Sequence, residues 1–170
     1  VLAAGRATRF GAAKLLAPLN GRPVIEHVAQ ASQGIPFAYR LCVSTQEGPD
    51  LSPLGFDMIR VELGLPQSAS LAAAITAAGR RDIDAAMIVL GDMPLVPQAH
   101  LEALINAFDG ELVASSRGAG PMPPAIIGRR HFAATAVLTG DTGARGLLAH
   151  APLVAATEQD LLDIDTPADL

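Results

Sequence analysis

Short runs of aliphatic and β-branched residues recur at positions 1–3, 38–44, 58–62, 85–90, 112–115, 125–127 and 153–156, each with the length and composition of a buried strand. Between them the apolar positions change to helical spacing. Leu101, Leu104, Ile105 and Phe108 fall at i, i+3, i+4 and i+7 and predict a helix over 98–108, with Pro97 suited to its first turn. Leu71 and Ile75 share a face of an alanine-rich helix over 68–78, and Pro23 can open a third helix with Val24, Ile25 and Val28 turned inward. Alternation of strand and helix predicts an α/β domain with a mainly parallel sheet. Residues 117–124, rich in Gly and Pro, break the pattern and read either as a mobile loop beside a site or as a surface connection. With no repeat, low-complexity tract or linker, residues 1–170 are expected to form one domain. The chain opens at Val1 on an apolar pair that runs straight into glycine-rich sequence, so both ends are expected to be clipped.

Composition narrows the chemistry. A chain of 170 residues can bury one proper core. Twelve Lys plus Arg against 17 Asp plus Glu give a net charge of -5 with no basic block, which argues against nucleic acid as a partner but leaves room for a local phosphate patch. The single cysteine, Cys42, excludes an intrachain disulfide framework and a Cys-based zinc site; flanked by Leu41 and Val43, it reads as a buried inert thiol in a reducing compartment. No run approaches the roughly 18 apolar residues of a membrane span, so a cytoplasmic protein with no membrane partner is expected. His27, His100, His131 and His150 lie far apart without metal-ligand spacing, and no nucleophile elbow accompanies a Ser/His/Asp order.

Ligands of open α/β sheets gather at the carboxyl ends of strands, which directs attention to the segments after Ala3 and Leu90. The first reads LAAGRATRFGAAK, Leu2 to Lys14. Its glycines let backbone N–H groups approach phosphate oxygens, and Arg6, Arg9 and Lys14 can neutralise a polyphosphate. It is neither a Walker loop, since five residues separate Gly5 from Gly11 and Leu15 follows Lys14, nor a G-x-G-x-x-G dinucleotide turn. The second reads IVLGDMP, a strand ending at Gly91 and Asp92, where a carboxylate can hold Mg2+ or cap a turn.

LAAGRATRFGAAK followed by LLAPLNGRPVIEHV resembles the nucleotidyltransferases of the molybdenum cofactor cytidylyltransferase type, within the MobA-like NTP transferases, whose signature is LAAG-x-x-x-R-x-G-x-x-K, an apolar run, Gly and Pro. The likeness runs from Leu2 to Leu170. It implies a three-layer α/β sandwich with a mixed, mainly parallel sheet, of the nucleotide-diphospho-sugar transferase type. It also implies that Leu2, Ala3, Ala4 and Gly5 hold the nucleotide and that Arg9 and Lys14 bind the β- and γ-phosphates. Arg6 stands at a variable position of the pattern. GDMPLV carries the family's metal-binding Asp at Asp92, beside Gly91, and DIDTPADL, residues 163–170, implies a second metal carboxylate at Asp165. Thr166 as N-cap, Pro167 at the first helical position and Asp169 in the first turn need no function to explain them. Asp163 reads as an outer residue acting through water, or as surface.

GLPQSASL is similar to the segment that contacts base and ribose, so Ser68 and Ser70 are candidates for nucleotide recognition, or one of them caps the helix. LTGDTGARGLL matches the stretch that closes over the second substrate, giving Asp141 and Arg145. One departure stands out: the family's Gly-His-Pro is replaced by Met122, Pro123 and Pro124. The reaction implied is attack of an acceptor phosphate on the α-phosphorus of a triphosphate, with Mg2+ as cofactor on Asp92 and Asp165. The donor implied is CTP, since LAAG is closer to cytidylyl than to guanylyl enzymes with LAGG; GTP stays open. The acceptor implied is molybdopterin or its molybdenum-loaded form, with a molybdoenzyme or its assembly factor as a partner. Two alternatives stand beside it: a sugar phosphate, sugar acid or polyol phosphate as acceptor, and a carrier of nucleotide or cofactor without turnover.

Overall fold

The computed structural model describes residues 1–5, 14–140 and 144–170. A short hairpin, β1 (Pro18–Leu19) and β2 (Arg22–Pro23), leads into α1 (Val24–Gln33). There follow β3 (Leu41–Thr45), β4 (Asp57–Val61), α2 (Gln67–Gly79), β5 (Ala85–Ile88), α3 (Gln98–Ala107), β6 (Leu112–Ser116) and β7 (Met122–Gly128). Two short helices, α4 (Phe132–Ala136) and α5 (Arg145–Leu148), and β8 (Leu153–Ala155) complete the order, with a closing 3-10 turn at Pro167–Asp169.

Leu2 knits the strands into one mixed sheet, because it bridges in parallel both to Val43 of β3 and to Leu90 just beyond β5. On one side β3 pairs in parallel with β4. On the other the order is β5-β7-β6-β8, with β7 antiparallel to both neighbours and β6 parallel to β8. All these strands except β7 therefore end on the same edge, and β7 begins there.

Both faces of the sheet are covered, which is why its strands read as continuous apolar runs rather than alternating ones. Val43, Ile88 and Ile127 pack with Leu71, Ile75 and Ala78 of α2 and Phe132 of α4. Their chain neighbours turn the other way. Val89 and Ile126 join Val28 of α1 and Leu101 and Leu104 of α3, while Ala3 and Cys42 meet Ile25 and Ala29 of α1. This is the three-layer α/β arrangement, and burial pushes the Cys42 thiol pKa up, as suits an inert core sulfur.

Two expectations need correction. Ile105 is 41% exposed, while His100 is buried in its place, so the inward stripe of α3 runs one residue earlier than the aliphatic spacing suggested. The buried imidazole is satisfied: the Ser115 hydroxyl donates to the Pro124 carbonyl at 2.6 Å, leaving its lone pair for an N–H at His100 Nε2, 2.8 Å away. Second, Met122, Pro123 and Pro124 are not loop but the start of β7, where Met122 is opposite Ser115 across a register shift. Proline is tolerated there because the end of a strand does not need every N–H.

Candidate active site

The carboxyl edge of the sheet carries a cleft of about 1150 Å³ beside Leu2. Leu2, Ala3, Ala4 and Gly5 form its floor with Leu90 and Asp92. One wall is Thr45–Pro49 after β3, and another is Arg60–Gln67 with Ser70 between β4 and α2. Among the described residues a Cβ at Gly5 would meet nothing within 4 Å. Gly91 sits behind the floor: its N–H donates to the Leu2 carbonyl at 2.8 Å, and a Cβ there would lie 2.7 Å from Ile25 Cδ1. Close packing against the Ile25 side chain and the Leu2 carbonyl leaves no room for a Cβ here.

Lys14 closes one end of the cleft. Its Nζ lies 2.7 Å from Asp92 Oδ2 and 3.3 Å from Asp165 Oδ1, so carboxylates from distant parts of the chain converge on one ammonium. Burial pulls the lysine pKa down; the hydrogen bonds and attraction to Asp92 and then Asp165 outweigh that, and the net shift is upward. Asp165 is held by its own turn. Asp169 accepts from the N–H groups of Asp165 and Thr166 and from the Thr166 hydroxyl, completing a capping box. The turn is tied to the strand end because the Ile164 N–H donates to the Asp92 carbonyl at 2.8 Å.

Asp163 is neither a surface residue nor a remote one. Burial first, and then the charge of Asp92, push its pKa up to about 6, while Arg117 and Lys14 pull the other way. Three carboxylates thus share one neighbourhood with two cations, and their repulsion is relieved by those cations or by a proton on Asp163.

Two carboxylates reaching a single ammonium nitrogen also suit one hard divalent ion, which takes oxygen ligands and usually completes its shell with water and substrate phosphates. Among the described residues no group of three His, Cys, Asp or Glu side chains could hold a metal by itself.

Other expected residues divide. Ser70 lines the cleft, whereas Ser68 is buried in the first turn of α2 outside the lining. Arg145 is exposed at the start of α5 and does not line the cleft. Arg6, Arg9 and Asp141 lie outside the described residues.

Sequence reasoning missed the wall at Thr45–Pro49 and the arginine that braces it. Arg60 donates to the Thr45 carbonyl at 2.8 Å and to the Pro49 carbonyl at 3.3 Å, fixing the turn from the neighbouring strand. The rule that ligands sit at strand carboxyl ends applies to β3 as well as to β5, and would have found that turn.

The model of the MobA-like NTP transferase domain matches residues 1–157. Among characterised proteins, the purine catabolism protein PucB of Bacillus subtilis is 29% identical, over 99% of this chain and 91% of PucB. The bifunctional protein GlmU of Aromatoleum aromaticum is 34% identical over 67% of the chain, which spans only 26% of GlmU. A molybdenum cofactor guanylyltransferase of Shewanella is 32% identical over 75% of the chain and 66% of its own length. Among solved structures, Rv0371c of Mycobacterium tuberculosis superposes with a TM-score of 0.83 at 26% identity, covering 99% of this chain and 92% of that one. A nucleotidyl transferase from Methanothermobacter gives 0.84 at 26% identity, over 99% and 91%.

Proposed function

We propose, from the fact that this chain belongs to the MobA-like NTP transferase domain family, that it moves a nucleoside monophosphate from a triphosphate onto a phosphate-bearing small molecule and releases pyrophosphate. The observation that carries the reading is the convergence of Asp92 and Asp165 on Lys14 at the end of an open cleft floored by Leu2–Gly5. In this reading an acceptor phosphate oxygen forms a bond to the α-phosphorus, the bond to the β-phosphate bridging oxygen breaks, and that oxygen leaves with pyrophosphate. The reaction asks the protein for positioning and charge, not for a nucleophile of its own. Lys14 neutralises the departing phosphates. Asp92 and Asp165 would hold Mg2+, which supplies charge neutralisation around the α-phosphorus when bound. The small residues of the floor let the nucleotide lie against backbone.

For the finer assignment we favour CTP as donor, on Ala3 and Ala4 in LAAG, and molybdopterin or its molybdenum-loaded form as acceptor, with a molybdoenzyme or its assembly factor receiving the product. The similarity to a guanylyltransferase makes GTP the competing donor. A sugar phosphate, sugar acid or polyol phosphate is the second reading for the acceptor, favoured by Met122, Pro123 and Pro124 in place of Gly-His-Pro. Pyrophosphate release is measured with each of the four ribonucleoside triphosphates, with and without molybdopterin and then with sugar phosphates, sugar acids and polyol phosphates. Release with CTP that depends on molybdopterin supports the assignment. Release only with a sugar phosphate, sugar acid or polyol phosphate moves the acceptor, and no release with any pair overturns the transferase reading.

A further inference from the structure

Among the described residues Lys14 and Arg60 are the cations that line the cleft, and they stand on opposite sides of its floor. Lys14 meets Asp92 beyond β5, whereas Arg60 belongs to β4 and reaches the turn that follows β3. With Leu2 between β3 and β5, that turn and Asp92 are two strand spacings apart, about 10 Å. A triphosphate whose β- and γ-phosphates lie on Lys14 therefore directs its other end, the base, toward β3 and β4.

Arg60 is already engaged and is not poised to take a phosphate. Its Nη1 donates to the Thr45 carbonyl at 2.8 Å and to the Pro49 carbonyl at 3.3 Å, and its Nη2 lies 3.8 Å from Asp50 Oδ1. One guanidinium thus joins the first and last residues of the turn and the residue after it. Within the turn the Gly48 N–H donates to the Thr45 carbonyl at 3.1 Å, and Pro49 has no N–H to give. A Cβ at Gly48 would collide with the Ser44 and Thr45 hydroxyls, because the turn folds back on the end of its own strand. At its tip Gln46 and Glu47 are exposed and line the cleft, as do Glu62 and Gln67 of the other wall. Amide and carboxylate groups read the hydrogen-bonding edge of a base, which is where two bases of one ring size differ.

We propose that Arg60 is a positioning residue for the choice of nucleobase: without touching the nucleotide, it holds the Thr45–Pro49 turn in the form that sets Gln46 and Glu47 against the base. The inference rests on the transferase reading and deepens it, since the donor is then chosen at its base by a braced turn and held at its phosphates by Lys14. Arg60→Lys keeps the charge on a shorter side chain and loses the planar set of donors.

Selectivity is the readout that a merely structural role would not move. With the acceptor that supports pyrophosphate release, kcat/KM is measured for CTP against UTP and for GTP against ATP, pairs that share ribose, phosphates and ring size. The parent prefers one member of a pair, and Arg60→Ala brings that ratio about tenfold nearer to one, the size of one well-made hydrogen bond. Arg60→Lys falls between. Gly48→Ala leaves Arg60 in place but crowds the turn from the strand side, and it lowers the ratio as well. A ratio retained in both Arg60→Ala and Gly48→Ala overturns the proposal. So does an Arg60→Ala protein that loses all four triphosphates alike as its melting temperature falls, because the arginine would then brace the fold alone.

A second measurement needs no turnover. The same four triphosphates are titrated calorimetrically into the parent and into Arg60→Ala with no acceptor present. A preference in the parent that Arg60→Ala loses supports the proposal. A preference that survives the substitution, or a parent that binds all four alike, overturns it. If no acceptor supports pyrophosphate release, the transferase reading fails, and this titration still decides whether Arg60 governs the choice of base.

Discussion

Adding a single methyl group at Gly91 should damage both the core and the reaction, through contacts that can be named. The Cβ of Gly91→Ala would stand 2.7 Å from Ile25 Cδ1, 3.2 Å from the Leu2 carbonyl oxygen and 3.4 Å from Ala3 Cβ. Ile25 Cδ1 is the free end of a side chain, but Ile25 is 1% exposed and packed with Ala29, Cys42, Leu51 and Phe56, so it cannot swing away without disturbing them. The Leu2 oxygen is backbone and already accepts from the Gly91 N–H. Overpacking of this kind costs about 1–3 kcal/mol. For a domain of this size that lowers the melting temperature by roughly 2–12 °C. Displacing Leu2 also moves the strand end that carries Asp92, so kcat should fall in the folded variant. Ile25→Val removes Cδ1 and alone costs about 0.5–1.5 kcal/mol. Because its gap takes the new methyl, the double variant should be more stable than the sum of the single losses by about 0.5–3 kcal/mol. Urea denaturation of the four proteins measures the cycle. Strict additivity would refute the contact, and a Gly91→Ala protein as stable as the parent would refute the packing argument altogether.

Asp92→Asn and Asp165→Asn should each abolish Mg2+-dependent pyrophosphate release while leaving the melting temperature within a few degrees, since both carboxylates sit on the solvent side of the core; near-normal turnover at saturating Mg2+ removes that residue from the site. Lys14→Ala should weaken CTP far more than CMP in calorimetric titration, because its ammonium is assigned to the phosphates that leave, and equal losses for the two would reject that role. Asp163→Asn should stabilise the metal-free protein at pH 8. A folded pKa of about 6 against the ordinary 3.8 means that the folded state holds the proton more tightly, so stability falls as pH rises from about 4 to 6 and stays lower above. The gap corresponds to at most about 3 kcal/mol, reduced to about 1–2 kcal/mol for a carboxylate partly open to water. Urea denaturation in EDTA should show the variant's advantage at pH 8 narrowing at pH 4.5, and an advantage independent of pH would mean that the carboxylate charge is not its source.

Strands were legible where both faces are buried, because pairs such as Cys42 with Val43 and Ile126 with Ile127 must both be apolar when helices cover each side. Order in the sheet was not legible. Periodicity reports which face a residue occupies, not which strand lies beside it, so nothing local said that β3 would stand next to Leu2 or that β7 would run antiparallel between β5 and β6. Residues whose role depends on that order were missed for the same reason. Arg60 braces a turn of the neighbouring strand, and Arg117 reaches Leu161 from the end of β6. Lys14, Asp92 and Asp165 could be read from motifs, but their convergence is a fact of tertiary structure.

Asp163 is the instructive case, because a signal for it was present. Local capping accounts for Thr166, Pro167 and Asp169, and it left Asp163 looking like surface. Yet Asp163, Ile164 and Asp165 alternate polar, apolar, polar, the period of an extended segment lying over a core. Ile164 is fully buried against Leu19 and Val24, and its N–H donates to the Asp92 carbonyl as a strand residue would. An inward Ile164 sends the residues on both sides of it to one common face, which is the face that meets Lys14 and Asp92. The same alternation that places Asp165 beside the lysine therefore sets a second, half-buried carboxylate two residues earlier, and a cation at this point of the sheet offsets their repulsion as well as the charge of the phosphates it is proposed to receive.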